Sequence, residues 1–258
     1  MLKTLEYRVT ACQQAEFFFK TLTGTLIKRP FIPVFMHITK TSFAGNPNIG
    51  LYAFCTDKFC LVGGEVSDKE KKILEEILKV PVHIVSVAGT PLVGVFVAGT
   101  EDVLLVPEIV FQHELEALRE LGLNVKIVPG RITALGNSVL ATNEGCLVSK
   151  DLSEEARTEI ERALGVPVKA GMIAGLPNVG ALAALTSKGV LISSQAEDFE
   201  VEFVETLLKS KCTKGTVNGG SSYIKSGVIA NAHGIVAGSQ TTGLELDNLD
   251  RAFGFLAD

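Results

Sequence analysis

The chain has 258 residues, a formal net charge of −5, 47% apolar residues and a mean hydropathy of +0.32. This composition supports a sizeable core and excludes an intrinsically disordered or fibrous chain. The acidic balance argues against a protein that wraps nucleic acid, because phosphate binding rests on dense Lys and Arg. We therefore expect no DNA partner, only local contact with any RNA, and a basic protein surface as the better partner.

The five cysteines are odd in number, scattered, and form no C-x-x-C pair. They are Cys12, Cys55, Cys60, Cys146 and Cys212. This pattern predicts neither a disulfide framework nor a zinc site and is typical of the reducing cytoplasm. The simplest interpretation is that they are small buried hydrophobic residues. The Gly-rich segment 218–222 lacks the Gly-Lys-Ser/Thr of a P-loop, so we expect no metal and no cofactor.

Residues 1–35 differ in charge from the rest of the chain. They contain five basic and two acidic residues, whereas residues 36–258 contain 19 and 27. Lys20, Lys28 and Arg29 interrupt any signal-peptide core, and no small-residue cleavage site follows. Because Met36 directly precedes the first predicted strand, we expect it to be the natural start, with residues 1–35 a mis-called gene start. A real N-terminal extension, such as a disordered arm, is the alternative.

Residues 36–258 contain an internal five-fold repeat. Five segments align without gaps, with starts 44, 42, 44 and 45 residues apart. The segments begin at Asn48, Leu92, Ala134, Asn178 and Tyr223. Their third position is Gly50, Gly94, Gly136, Gly180 and, as the exception, Lys225. In each segment an apolar run leads to a polar turn and a second apolar run, which predicts a β-hairpin.

An amphipathic helix and a further strand are predicted behind each hairpin. The clearest helix covers 67–79, where Ser67 and Glu70 have the capping-box spacing and an apolar stripe runs from Ile73 to Leu78. The other predicted helices lie at 108–121, 153–164, 197–208 and roughly 245–253. The predicted strands lie at 82–88, 124–128, 166–173 and about 213–217.

The fifth unit has no predicted strand after its helix, but a matching strand occurs at 37–43, before the first hairpin. If this strand fills the gap, the ring closes and no unit keeps an open sheet edge. The sequence therefore predicts an α/β (α+β) fold, a five-fold pseudo-symmetric propeller in a single domain, residues 36–258, closed by its N-terminal strand. We expect it to be a monomer.

Two uncharged stretches, 80–100 and 170–187, approach the length of a transmembrane helix. Both contain Pro and several Gly, and both recur in register with other repeats. Buried strands joined by tight turns explain them better, so we expect no membrane contact.

Several strings in residues 36–258 resemble the translation initiation factor 6 family of archaea and eukaryotes. The strings include HITKTSF at 37–43, LLVP at 104–107, RITALGN at 131–137, DLSEEA at 151–156, GTVNGGSSYIKSGVIAN at 215–231 and TTGLEL at 241–246. The resemblance covers the whole predicted ring and implies the pentein propeller fold. It is closest to the archaeal form, because the eukaryotic C-terminal tail has no counterpart here.

The resemblance implies steric exclusion rather than catalysis. A member of this family binds the large (50S) ribosomal subunit and prevents its association with the small (30S) subunit, which regulates initiation and subunit maturation. The implied partners are a ribosomal protein near the sarcin–ricin loop and, locally, the rRNA itself. The implied location is cytoplasmic.

The starts of the repeats should line one face of the ring, because each begins a hairpin at the same point of its unit. The candidate ribosome-binding residues are Asn48, Gly50, Arg131, Asn137 and Asn178. The resemblance places the ALGN segment on the ribosome-facing side, which makes Asn137 the first choice. The alternative is structural, since Gly permits tight turns and Asn caps them.

Two other functions stay open at this point. The pentein fold also carries guanidine-modifying enzymes with a nucleophilic Cys, a His and acidic partners, and fold alone does not decide function. None of His37, His83, His113 and His233 has a local signature with a Cys, and the surroundings of Cys212 lack the enzymes' pattern. A propeller could instead be a scaffold for a non-ribosomal protein.

Overall fold

The computed structural model describes residues 18–20, 26–28, 37–64 and 66–256, and the chain divides into two units, residues 1–36 and 37–258. In the first unit, the strands Phe18–Lys20 and Leu26–Lys28 pair antiparallel, with Phe19 opposite Ile27. The expectations about a mis-called start or a disordered arm fall mostly outside the described residues and stay predictions.

The second unit contains five three-stranded sheets, one for each repeat. In every sheet the second hairpin strand is central, antiparallel to the first strand and parallel to the third. The first four sheets comprise Ala53–Cys55, Cys60–Gly63 and Val82–Val85; Ala98–Gly99, Leu104–Pro107 and Val125–Val128; Val139–Ala141, Cys146–Ser149 and Val168–Gly171; and Ala183–Thr186, Gly189–Ser193 and Cys212–Gly215. The central strands are buried along their whole length, which explains their continuous apolar sequence.

A longer helix follows each hairpin. These helices are Asp68–Leu78, Gln112–Glu120, Glu154–Leu164, Asp198–Leu208 and Gly243–Ala252. Ser67 caps the first with the predicted capping box. The second helix begins four residues later than expected at Glu108, because the Val110 N–H bonds the Pro107 carbonyl and closes a turn there.

Each of these helices lies between its own sheet and the preceding one. The helix Asp68–Leu78, for example, buries Leu74 and Leu78 in one apolar cluster with Ile229 and Val236 of the fifth sheet. A helix shared in this way ties neighbouring repeats together, because neither sheet can move without exposing the same side chains.

The strand Ile38–Thr41 closes the ring. It pairs parallel with Ile235–Gly238 and completes the fifth sheet, whose first strand is Val228–Ala230. His37 strengthens the junction, since its Nε2 lies 2.9 Å from the Asp250 carboxylate and its ring stacks on Phe255 at 4.7 Å. The predicted closure by the N-terminal strand is confirmed, and with it the five-fold propeller.

The starts of the repeats differ in detail from the predicted hairpins. Four of the aligned segments open with a short helical turn instead of a strand: Ile49–Leu51, Val93–Phe96, Leu135–Ser138 and Ile224–Gly227. The apolar residues there point into the core from the turn, so apolar content alone did not distinguish turn from strand. Within the described residues, no helix is long and apolar enough to cross a membrane.

Candidate functional site

The ring has two faces, because the five first strands are related by the pseudo-symmetry and all run from a repeat start to a hairpin tip. The hairpin-start face is formed by the loops 43–48, 87–92, 128–134, 173–178 and 217–223 with the turns that follow them. The hairpin-tip face is formed by the turns 56–59, 100–103, 142–145, 186–189 and 231–234. The candidate binding residues all belong to the first of these faces.

Four glycines meet at the axis of the ring, next to the hairpin-start face; we call them the axial glycines. They are Gly50, Gly94, Gly136 and Gly180. A Cβ atom on them would lie only 1.8, 1.9, 2.0 and 2.4 Å from a carbonyl oxygen of the neighbouring repeat. Backbone therefore packs directly on backbone around the axis, and only glycine permits this approach. The structural interpretation of Gly50 therefore explains why four of the five repeats have glycine at this position.

A depression of about 370 Å³ opens on the hairpin-start face. Asn48, Gly50, Asn137 and Asn178 all contribute to its lining. Four of the five candidate residues are therefore brought together by the fold, although they are far apart in the sequence. Arg131 is exposed in the loop before the third repeat and is not part of this lining.

The candidate side chains differ in their hydrogen bonding within the protein. The Asn48 Oδ1 accepts hydrogen bonds from Asn218 Nδ2 at 3.3 Å and from Ser226 Oγ at 3.4 Å, so Asn48 joins the first and fifth repeats. In the part of the chain that the structure describes, the side chains of Asn137, Asn178 and Arg131 make no hydrogen bond or ion pair. Their polar groups are available to a partner.

The loops of the hairpin-start face and the hairpin tips differ in charge. The loops and turns of the hairpin-start face contain no acidic residue, and Arg131 and Lys225 are their only charged residues. The hairpin tips carry Asp57, Lys58, Glu101, Asp102, Glu144 and Lys188. The acidic charge that was expected to favour a basic partner therefore does not lie on the loops that carry the candidate residues.

Two functional candidates on this face were missed from the sequence. Tyr223 lines the depression and is 48% exposed. Its position, first in the fifth repeat as Asn48 and Asn178 are in theirs, was the available signal. Lys225 replaces the fifth axial glycine, and its Nζ donates a 2.7 Å hydrogen bond to the Gly136 carbonyl across the axis. Burial lowers the pKa of Lys225 to about 7.

Buried glutamates support the start-face loops of the second, fourth and fifth repeats. In the fifth, the Glu245 carboxylate accepts from the N–H groups of Gly219 at 3.1 Å and Gly220 at 2.8 Å. Burial alone would raise the pKa of Glu245, but the hydrogen bonds it accepts from Thr242, Thr216 and this loop outweigh burial and lower the pKa to about 2. The third repeat has Ala156 at the equivalent position, so its loop, which holds Arg131, lacks a buried glutamate, and its Gly130 N–H instead donates to exposed Glu108 at 3.4 Å.

The residues considered for catalysis are not assembled. Among the described residues, no cysteine is hydrogen-bonded to a histidine. Burial, together with Glu205, raises the pKa of Cys212 to about 12, which disfavours the nucleophilic thiolate. His37 pairs instead with Asp250 at the ring closure.

Comparison with known proteins places the chain. A sequence model described as the eIF-6 family matches residues 38–252. Translation initiation factor 6 of Thermococcus onnurineus is 36% identical over 227 residues, covering 86% of this chain and 100% of that protein. The Thermococcus gammatolerans factor is 40% identical over the same shares. Among solved structures, a dimethylarginine dimethylaminohydrolase adduct with S-methyl-L-thiocitrulline has 14% identity and a TM-score of 0.46, covering 69% of each chain. The chain belongs to the eIF-6 family of translation initiation factors.

Proposed function

We propose that this chain, as a translation initiation factor, binds the large ribosomal subunit through its hairpin-start face and thereby keeps the small subunit from joining. The partners would be a ribosomal protein near the sarcin–ricin loop and the adjacent rRNA, in the cytoplasm. No catalytic step is involved, because a rigid body bound at the joining surface already occupies the volume that the small subunit needs.

One observation supports the choice of the hairpin-start face as the binding surface. Asn137, Asn178 and Arg131 hold hydrogen-bonding groups that no other described residue uses. Asn137 and Asn178 line a preformed depression and Arg131 is exposed in the loop before the third repeat, so a partner can satisfy all three without first breaking contacts within the protein. These loops themselves contain no acidic residue, which limits repulsion of rRNA phosphates, although the exposed Glu108 carboxylate lies 3.4 Å from the Gly130 N–H of one of them. Asn137 and Asn178 are the contacts we assign to the partner, and Asn48 and Gly50 hold the surface in shape.

Sucrose-gradient sedimentation of the full chain with purified large and small subunits tests this proposal. The wild-type chain should co-sediment with large subunits and reduce the joined-ribosome peak. Asn137→Lys and Asn137→Glu should each weaken binding at least about tenfold, or 1.4 kcal/mol, because both replace a neutral amide with a longer charged group in the contact.

Asn143→Lys is the matched control. It makes the same change in the same repeat, but on the exposed hairpin tip of the opposite face. It should bind and block joining as the wild type does. Equal loss in Asn137→Lys and Asn143→Lys would show that the face is wrongly chosen. A wild-type chain that stays at the top of the gradient, with subunits joining normally, would overturn ribosome binding and favour a non-ribosomal protein scaffold.

A further inference from the structure

Lys225 breaks the five-fold pattern at the axis of the ring. The other four repeats have glycine at this position, whereas the Lys225 side chain runs into the axis and reaches the Gly136 carbonyl of the third repeat at 2.7 Å. The Lys225 carbonyl oxygen still packs on Gly50, as the carbonyl oxygens of three of the axial glycines pack on their neighbours, because a Cβ on Gly50 would lie 1.8 Å from it. The amine is thus an addition to a framework that is already complete without it.

Lys225 borders a second, partly open cavity. This cavity of about 320 Å³ lies along the axis towards the hairpin tips, and Lys225 borders both this cavity and the depression on the hairpin-start face. Small apolar residues of the five first strands form its wall: Ala53, Ala98, Val139, Ala183 and Val228. Lys225 therefore borders a chamber that is apolar beside the first strands and polar towards the tips, and that is several times larger than a three-carbon molecule.

The amine has no acidic partner. Its one hydrogen bond among the described residues is to the neutral Gly136 carbonyl. The charged groups that border the cavity are Asp57, Glu101, Glu144 and Lys209, in the tip half. Asp57 already accepts from Ser187 Oγ and the Ala232 N–H, and Glu144 pairs with Lys209 at 2.6 Å.

This setting favours the neutral, nucleophilic form of the amine. Burial lowers the pKa of Lys225 to about 7, so about half of the amines are unprotonated at neutral pH. An exposed lysine with a pKa near 10.4 is unprotonated in roughly one molecule in two thousand at that pH. Desolvation in an apolar pocket is one of the established ways in which proteins activate lysine as a nucleophile.

We propose that the axial cavity is a reaction site at which Lys225 forms an imine with small uncharged aldehydes. The amine lone pair attacks the aldehyde carbon, and the carbonyl oxygen takes up one proton from the attacking nitrogen to give a neutral carbinolamine. The hydroxyl then takes up a second proton from solvent, the C–O bond breaks, the oxygen leaves as water, and the nitrogen lone pair forms the C=N bond of a protonated imine. The protonated imine keeps one N–H, which the Gly136 carbonyl accepts in place of the original ammonium proton.

The cavity also selects among aldehydes. Its apolar wall disfavours charged molecules, because they would be desolvated without a partner. Asp57, Glu101 and Glu144 near the tips outnumber Lys209 and oppose the entry of anions. Propanal should therefore react faster than glyoxylate, which carries a carboxylate.

Reductive trapping tests the proposal on the full chain. Propanal and sodium cyanoborohydride are added at pH 7, and peptide mass mapping follows the labelling of each lysine with time. Lys225 should be labelled at least about a hundredfold faster than exposed Lys150, as expected of a buried amine compared with an ordinary surface lysine. Glyoxylate should label Lys225 more slowly than propanal does.

Two variants and a pH series complete the test. Lys225→Arg keeps a donor for the Gly136 carbonyl but has no nucleophilic amine, and Lys225→Gly restores the pattern of the other repeats; both should lose the fast label while melting as cooperatively as the wild type. The Lys225 rate should level off above pH 7 to 8, whereas the rate of an ordinary exposed lysine keeps rising over this range. Labelling of Lys225 no faster than that of Lys150, or a fast label that persists in Lys225→Arg, would overturn the proposal.

Discussion

The two faces of the ring share close backbone packing between repeats, and they differ in the charge of the side chains that add to it. On the hairpin-start face, backbone packs on backbone through the axial glycines. On the hairpin-tip face, a Cβ on Gly145, Gly189 or Gly234 would likewise lie 2.1, 2.0 or 2.4 Å from a backbone carbonyl oxygen of the neighbouring repeat. Charged side chains add to this packing, since Asp57 accepts from Ser187 and Ala232, and Lys58 pairs with Asp102 at 2.7 Å. Backbone contacts leave no rotamers to adjust, whereas exposed side-chain pairs can be exchanged or lost at small cost. The comparison teaches that backbone packing preforms both faces, as a binding surface requires, and that the loops of the hairpin-start face differ by carrying fewer charges.

The strongest way to break this comparison is to force a side chain between two backbones. Gly94→Val places a Cβ 1.9 Å from the Gly50 carbonyl oxygen, a clash that no side-chain movement can relieve. We expect a loss of more than about 3 kcal/mol in the free energy of unfolding, at or beyond the upper range for overpacking. Urea unfolding followed by circular dichroism measures it.

Gly243→Ala is the control for the axial substitution. A Cβ at Gly243 meets nothing within 4 Å, and its backbone φ is not in the left-handed region. The unfolding free energy should change by less than about 1 kcal/mol, in the stabilising direction expected of Ala in a helix. Comparable losses in both variants would show that the axial contact is not what makes this face rigid.

The support beneath the hairpin-start face is expected to depend on pH. The pKa of Glu245 is about 2 in the folded ring, against an ordinary value of 4.5, so its contribution is complete above pH 4.5 and is lost as pH falls towards 2. The shift corresponds to about 3 kcal/mol. Glu245→Gln should lose about 2–3 kcal/mol at pH 7, and the difference from wild type should shrink steadily below pH 4.5 in acid titrations of stability.

Glu70→Gln is the matched change at an exposed helix start. Glu70 caps its own helix through Ser67 but binds no loop of the hairpin-start face. Its effect should stay within about 1 kcal/mol, the usual size of a capping contribution. A larger effect for Glu70→Gln than for Glu245→Gln would contradict the role assigned to the buried carboxylate.

We expect a side-chain substitution at a hairpin tip to reduce the free energy of unfolding less than the substitutions above. Asp57→Ala removes two hydrogen bonds that link the first, fourth and fifth repeats, but leaves the Ser187 hydroxyl and the Ala232 N–H near solvent. We expect a loss of about 1–2 kcal/mol in thermal or urea unfolding and unchanged binding to the large subunit. Loss of ribosome binding in this variant would move the interface to the tips.

Salt dependence gives the smallest and most discriminating effect. Contact through loops with a single exposed cation, Arg131, should release few counterions. Affinity for the large subunit should fall less than about threefold between 50 and 150 mM monovalent salt at constant Mg²⁺, measured by pelleting. A tenfold or steeper fall would indicate that charged hairpin tips or helices dominate binding.

The sequence predicts the ring well because its signals are repeated. Five hairpins, five helices and the closing strand all follow from aligned periodic patterns, and closure needs only the count of strands on each side. Helix starts were less predictable, as at Gln112, because a turn at Pro107–Val110 competes with helix propensity. The helical turns at the repeat starts could not be foreseen, since their reason is contact between repeats at the axis.

The site was predictable in part for the same reason. Equivalent positions of a repeat converge in space, so Asn48, Asn137 and Asn178 were correctly expected to share a face. Which of them is free to bind depends on contacts across the ring, such as that between Asn48 and Asn218, and these are not encoded in the spacing. The net charge of the chain likewise could not predict that the candidate loops contain few charged residues.

The closing strand has a consequence for folding during synthesis. Ile38 pairs with Ile235, so roughly two hundred residues must be synthesised between one partner and the other. During translation the early strand emerges first and stays without its neighbour until the last repeat has left the ribosome. Such a high contact order makes closure a late and slow event. A nascent or truncated chain therefore lacks the fifth sheet and the closed ring, and this chain acquires its complete fold only after its last repeat has left the ribosome that makes it.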